Sequence, residues 1–436
     1  MMKNRIMTFT ASGDALIVNQ IPEHYEGRST IREFIRRGEA RVTNLETTLT
    51  DGDCFASTFS GGTWLTAPET VLDDLEDFGF NLYSIANNHM LDYSYNGLSK
   101  TLQAFRRRQL NFTGAGDNLV DASKPVTIDL PSGRVAFIAL TSTFDDTARA
   151  GLQGPYLPGR PGINPLRHKV THLITKEHLE QLEKIAENTG INIKNNRRLK
   201  TGYKLKAEEH IFEFRDILFQ ESVTEGKVTT AHPEDLERTV NDIKRIKHLV
   251  DHIIVMIHSH EMKSDRIEEV DDFVVQSAHV FLDAGADIII GGGTHQLKGI
   301  ELYHGKPIFY SLGNFIYQNE CVRILPPDFM SKYQLPYDTN PLDALAIRRS
   351  HAKNGGLQAR ENYLSVIPYI EMEDDTCRKI ELLPISLGYD KTTSLRAIPY
   401  PASPAEADEI FQILNKLSCD YGTKLVLENG IIKVQL

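Results

Sequence analysis

The sequence predicts an α/β fold, and two observations carry that reading. Short apolar runs of β type alternate with amphipathic helical patterns along most of the chain. Five of those runs are each followed directly by Asp, Glu, Asn or His, the side chains that bind ligands beyond the carboxyl ends of strands in α/β sheets. Taken in order, the run 6–10 leads to Ser12-Gly13-Asp14, and 41–43 leads to Asn44-Leu45-Glu46. Helical patterns follow over roughly 68–79 and 94–108. Between them the strand 82–86 opens onto Asn87-Asn88-His89, with Asp92 three residues on.

The stretch from about 150 to 230 reads as an inserted cap. It opens with the Gly/Pro-rich loop 159–165, holding Arg160 and Asn164, continues with a helix near 175–188, and then carries Lys194, Arg197, Arg198, Lys200, Lys204 and Lys206 with no acid among them. Residues 234–250 place Leu236, Val240, Ile243, Ile246 and Leu249 at helical spacing, with Pro233 suited to the first turn. Strand 253–257 then delivers His258-Ser259-His260-Glu261. A helix over 270–284 stops near Gly285, and strand 287–290 leads to Gly291-Gly292-Gly293-Thr294-His295. From about 363 the tail alternates like strands over 364–371 and 379–387, then closes with a helix near 404–417 and two short strands. The expected organisation is one large domain, 1–362 with its cap, and a C-terminal extension, 363–436, packed on it.

Composition narrows the class without naming an activity. The 436 residues are 41% hydrophobic and 25% charged, ordinary values for a globular chain. The balance of 48 Lys+Arg against 59 Asp+Glu gives a formal charge of −11, which argues against a nucleic-acid partner. The apolar start is too short for a signal-peptide core, and no run approaches the ~18 residues of a transmembrane segment. The expectation is a cytoplasmic chain with no membrane segment. Cys54, Cys321, Cys377 and Cys419 are scattered, so neither a disulfide framework nor a thiolate zinc site is expected.

Carboxylates, an Asn carbonyl and neutral imidazoles together suit a hard or borderline divalent cation. Two such ions ~3.5–4 Å apart activate a shared water and stabilise attacking and leaving oxygens. Asn88 facing the metal leaves His89 free to face the substrate as a general acid, with Asp92 close by. Competing motifs are absent: there is no phosphate-binding P-loop, Leu119 occupies the third glycine position after Gly114-Ala115-Gly116, and no nucleophile elbow occurs.

Ser12-Gly13-Asp14, Asn44-Leu45-Glu46 and Ala86-Asn87-Asn88-His89 with Asp92 resemble motifs of the CapA-like capsule and poly-γ-glutamate synthesis proteins, relatives of the calcineurin-like metallophosphoesterases. The likeness continues through Gly285-Ala286-Asp287, the glycines before His295, Glu301, and Pro307-Ile308-Phe309-Tyr310-Ser311-Leu312-Gly313-Asn314-Phe315. It implies a four-layer α/β/β/α metallophosphoesterase-like sandwich with a dinuclear metal site. On that resemblance Asp14 is the first metal carboxylate, Glu46 the bridging carboxylate, Asn88 the Asn ligand, His89 the catalytic histidine, and His258 and His295 the later metal histidines. Where the superfamily has Asp-x-His this chain has Asp14-Ala15-Leu16, and Gly293 stands where another histidine precedes the last. His260 is expected to restore one ligand.

The implied cofactors are two divalent metal ions, Mn, Zn or Fe. The implied function is a metal-dependent hydrolase attacking a phosphoester or a γ-glutamyl amide of an acidic small-molecule or polymer substrate, with Arg160, Asn164 and Asn314 as candidate substrate-binding residues. The alternative is a non-catalytic accessory protein that binds an acidic polymer through a degenerate site. A plain phosphoesterase acting on nucleotides or sugar phosphates is a third reading.

Overall fold

Strands buried on both faces read as continuous apolar runs, and the middles of the central strands do so here. His252–Ser259 directs Ile254 and Met256 into one apolar cluster and Ile253, Val255 and Ile257 into another. Gly133–Thr141 divides in the same way, Val135, Phe137 and Ala139 against Ala136, Ile138 and Leu140. These two strands pair in parallel, and Ile288–Gly293 and Lys306–Phe309 extend the parallel run within a six-stranded sheet. The computed structural model describes residues 6–206, 208, 210–351 and 359–436. Met1 to Arg5, part of the sequence reading against a signal peptide, lie outside them.

A ten-stranded sheet is built around Ile6–Leu16. On one side it pairs in parallel with Ala40–Leu45, which pairs in parallel with Leu82–Ser84. On the other, Leu364–Glu373 runs antiparallel to it, register Ile6 to Glu373. The tail therefore completes this sheet. Thr376–Ser386 forms the next strand, and Lys424–Glu428 and Ile431–Gln435 close the edge. The helix Pro404–Cys419 starts at a capping box, where Ser403 and Glu406 satisfy each other's backbone amides.

Three apolar clusters hold these parts together. Met7, Phe9, Ala11, Val42 and Leu82 of the larger sheet meet Phe137, Ile254, Met256 and Ile290 of the smaller one. Against the other face of the larger sheet, helices Arg28–Ile35, Val71–Phe78 and Ser94–Arg107 bury Ile31, Leu75, Phe78, Leu102 and Phe105. Helices Pro233–Ile246 and Asp272–Ala284 cover the outer face of the smaller sheet with Ile243, Phe273, Ala278 and Phe281. The structure is thus a mixed α/β fold of several sheets and helices.

Residues 168–231 form a separate four-stranded sheet, carrying helices Lys176–Thr189 and Ile193–Lys200. The second helix buries no residue, so its basic side chains are solvated. His168 stacks on Phe273 with centroids 4.5 Å apart, and Arg167 pairs with buried Asp235 at 2.7 Å, tying the segment to the body. Sequence periodicity does not reveal helices Arg28–Ile35, Pro327–Lys332 and Pro341–Ser350. The four cysteines are free, and among the described residues no helix is long and apolar enough to cross a membrane.

Candidate metal centre

The strands do not stop where their apolar runs end. Ile6–Leu16 continues through Asp14, and Ala40–Leu45, His252–Ser259 and Ile288–Gly293 likewise run through Asn44, His258 and Gly292. Their polar ends converge between the two sheets. Asp14, Asn44, Glu46 and His258 are all at most 1% exposed.

Asp14 Oδ1 accepts from Asn44 Nδ2 at 2.8 Å, and its Oδ2 accepts from the Gly293 amide at 2.7 Å. A Cβ on residue 292 would sit 2.7 Å from Asp14 Oδ1, so only glycine allows this approach. Burial raises the Asp14 carboxyl, but the neighbouring His258 and His295 and these hydrogen bonds outweigh it and hold the group below the usual carboxylate range. His258 bridges the two sheets: its Nδ1 lies 3.4 Å from Asp14, and its Nε2 lies 2.8 Å from Asn88 Oδ1 and 3.5 Å from Glu46 Oε1.

Glu46 is the centre of the arrangement. Its Oε1 also lies 3.9 Å from His260 Nε2 and 4.0 Å from His89 Nε2, and its Oε2 lies 3.9 Å from His295 Nδ1. Among the described residues neither oxygen has a hydrogen-bond partner, and neither does His260 Nε2. Buried polar atoms are almost always satisfied, so orphaned carboxylate oxygens facing four imidazoles mark a place built for something else. Burial, followed by repulsion from Asp14 and Asp92, drives the Glu46 carboxyl well above its ordinary value. Burial also keeps His260 and His295 neutral, His295 being lowered to about 4. Neutral imidazoles are the ligand form.

Two donor sets result, and they share Glu46. Asp14, Glu46 and His258 each offer an atom within 4.8 Å of the others, and Glu46, His260 and His295 do the same. Carboxylate oxygen with imidazole nitrogen, and no thiolate, suits borderline divalent ions. His89 is held differently. Its Nδ1 lies 2.6 Å from Asp92 Oδ2, while Asp92 also accepts from the Leu65 and Gly61 amides at 2.8 and 3.0 Å. Its own amide donates to Asn87 Oδ1, which fixes the turn that separates Asn88 from His89.

The structure thus gathers Asp14, Glu46, Asn88, His89, Asp92, His258, His260 and His295. Asn314 joins them by bonding, its Oδ1 2.8 Å from His295 Nδ1, and so it orients a ring. His295 has φ 61°, a left-handed conformation costly for a non-glycine residue that persists only where its surroundings fix it. Arg160 and Asn164 are not brought there. Asn164 donates to the Ala139 carbonyl and accepts from Arg238, and exposed Arg160 donates to the Arg149 carbonyl.

Sequence reasoning missed three contributors. Asn44 supports Asp14 and lies 3.3 Å from His258, and its place two residues before Glu46 was the only signal. Gly61 accepts from Asn88 Nδ2, and a Cβ there would meet Asn88 and His89 at 2.5–2.7 Å. Tyr317, its ring centroid 5.0 Å from that of His295, is the third. The loop with Gly61 and the strand with Tyr317 carry no local signal, because both reach the cluster only by folding.

The profile of the family described as "Bacterial capsule synthesis protein PGA_cap" matches residues 8–319. The chain belongs to that family. It is 28% identical over 445 residues to "Uncharacterized protein y4sH" of Sinorhizobium fredii, covering 98% of this chain and 93% of that protein. It is 25% identical to "Capsule biosynthesis protein CapA" of Bacillus anthracis, over 59% of this chain and 45% of that one. "PGA biosynthesis protein CapA" of Bacillus subtilis is 26% identical, over 57% and 46%.

Proposed function

We propose that this member of the bacterial capsule synthesis family is a metal-dependent hydrolase of the metallophosphoesterase type. The observation that carries the reading is Glu46, whose two buried, unpartnered oxygens face separate imidazoles. Asp14, Glu46, His258 and Asn88 would hold one divalent ion, and Glu46, His260 and His295 a second. Ions bound there would supply Lewis acidity toward a phosphoryl or carbonyl oxygen and lower the pKa of coordinated water. His89 then serves as the proton donor to the leaving group through Nε2, with Asp92 holding Nδ1. Three stacked apolar clusters support reading the architecture as the four-layer α/β/β/α sandwich of that superfamily. The relatives' names for capsule and PGA biosynthesis support an acidic substrate, cleaved at a phosphoester or a γ-glutamyl amide.

One observation favours a second reading, a non-catalytic protein for an acidic polymer. Asp14 already accepts from Asn44 and Gly293, and Leu16 and Gly293 supply no imidazole. Elemental analysis and hydrolysis of p-nitrophenyl phosphate and γ-glutamyl amides separate the two. The hydrolase reading expects Glu46→Gln to lose most of the bound metal, and His89→Ala to keep it while losing about 10²–10⁴ in rate. Wild-type protein free of transition metal, binding poly-γ-glutamate equally well after chelation, would establish the second reading instead.

A further inference from the structure

Beside the candidate centre lies a cationic surface that the proposed chemistry does not use. Tyr317 packs on His295, and its buried hydroxyl, with Asn319 beside it, makes no hydrogen bond of ordinary geometry among the described residues. The hydroxyl lies within electrostatic reach of both Glu46 and Arg348. Arg348 stands on the last turn of helix Pro341–Ser350, its guanidinium 5.6 Å from the centroid of the Phe329 ring. Its Nη1 donates to Thr63 Oγ1 at 2.5 Å, two residues from the Gly61 that touches Asn88 and His89. The loop that lies on the general acid thus also holds Arg348.

Charge is unbalanced here. Arg349 and Arg396 reach the same carboxylate, Glu320, at 3.6 and 3.9 Å, and among the described residues Arg348 has no carboxylate within ion-pair distance. Two guanidiniums share one acid and Arg348 has none, which leaves an excess of positive charge. Arg348 is half-buried, so its charge is less screened than that of the solvated lysines and arginines on helix Ile193–Lys200. A planar guanidinium offers paired donors matched to a carboxylate or phosphate.

We propose that Arg348, supported by Arg349 and Arg396, binds an anionic group of the substrate next to the Glu46 cluster. The inference rests on the hydrolase reading for its setting, but anion binding by Arg348 can be measured without metal or turnover. The group recognised is a carboxylate or a phosphate, the chemistry shared by a γ-glutamyl chain and a phosphoester. Calorimetric titration of the full chain with inorganic phosphate and with tri-γ-glutamate, each with and without chelator, tests it and distinguishes the two sources.

Arg348→Gln is expected to weaken at least one probe about tenfold or more, the scale of a lost charge-assisted hydrogen bond. Arg348→Lys should recover part of the loss, with metal content unchanged in both variants and both still folded at the assay temperature. In turnover of p-nitrophenyl phosphate the loss should fall on KM. If both probes bind Arg348→Gln as tightly as wild type, or bind neither protein, the proposal is overturned. Failure of the metal reading would show separately, as wild-type protein that retains anion binding yet holds no metal.

Discussion

Asp92→Asn tests the support of His89 most directly. The carboxylate is fully buried and receives three donors: His89 Nδ1 at 2.6 Å and the Leu65 amide at 2.8 Å on Oδ2, and the Gly61 amide at 3.0 Å on Oδ1. Burial raises the Asp92 carboxyl despite its partners, His89 foremost, so the fold gains little from the charge as such. What the site needs is two acceptor oxygens. Asparagine has one, and its NH₂ must face a donor, either the Gly61 N–H or the Leu65 and His89 pair. One buried amide left unsatisfied costs about 1–3 kcal/mol, and that is the expected loss in urea denaturation of metal-free protein. If the NH₂ takes the Oδ2 position it donates to Nδ1, so that nitrogen can no longer carry a proton and the ring loses the doubly protonated form that donates from Nε2. The hydrolysis rate should then fall about 10²–10⁴-fold at unchanged metal content. A variant within 0.5 kcal/mol of wild type (roughly the spread of neutral surface changes) and within twofold in rate would refute both halves of the reasoning.

Two further outcomes follow from the same geometry. Gly61→Ala puts a methyl 2.5–2.7 Å from Asn88 Nδ2 and the His89 ring, so the loop must move. Stability should drop by about 1–3 kcal/mol, as for other overpacked sites, and the rate should fall with it; unchanged melting and rate would contradict the contact. His295 is depressed from 6.5 to about 4, chiefly by burial, so between those values the folded state holds fewer protons than the unfolded one. Stability is therefore full above about pH 6.5 and falls as pH drops through 4, by about 3 kcal/mol at 1.36 kcal/mol per unit. Denaturation of chelator-treated protein across pH 4–7 should contain this contribution beside one of the same sign from His260 and one of opposite sign from Glu46. His295→Gln should remove its share of the slope relative to wild type.

The sequence discloses the cluster because each donor sits at a strand's carboxyl end, a position fixed by local alternation. Asp14, Glu46, His89, His258 and His295 are legible in that way. Partnership is not. Asp14 meets the Gly293 amide across 279 positions and Asn88 meets His258 across 170, distances that no local pattern encodes. Arg160 and Asn164 look suited to a substrate by residue type alone, yet the structure commits Asn164 to Ala139 and Arg238. Arg348 has the opposite history: helix Pro341–Ser350 has a weak periodic signal, and its arginine gains meaning only beside Thr63 and Tyr317.

The tail marks the same boundary. Its alternation announces strands near 364–371 and 379–387, found as Leu364–Glu373 and Thr376–Ser386. That the first pairs with residues 6–10, so that the end of the chain completes the sheet begun at its start, was decided by tertiary structure. By itself the sequence determined the α/β class, the strand ends and the chemical types gathered on them, because side-chain period and turn residues act over a few positions. Which donors face each other, that Glu46 lies between two sets of them, and that two arginines share one glutamate were settled only by folding. Each depends on two sheets burying a common apolar face, and that packing alone sets the distances across it.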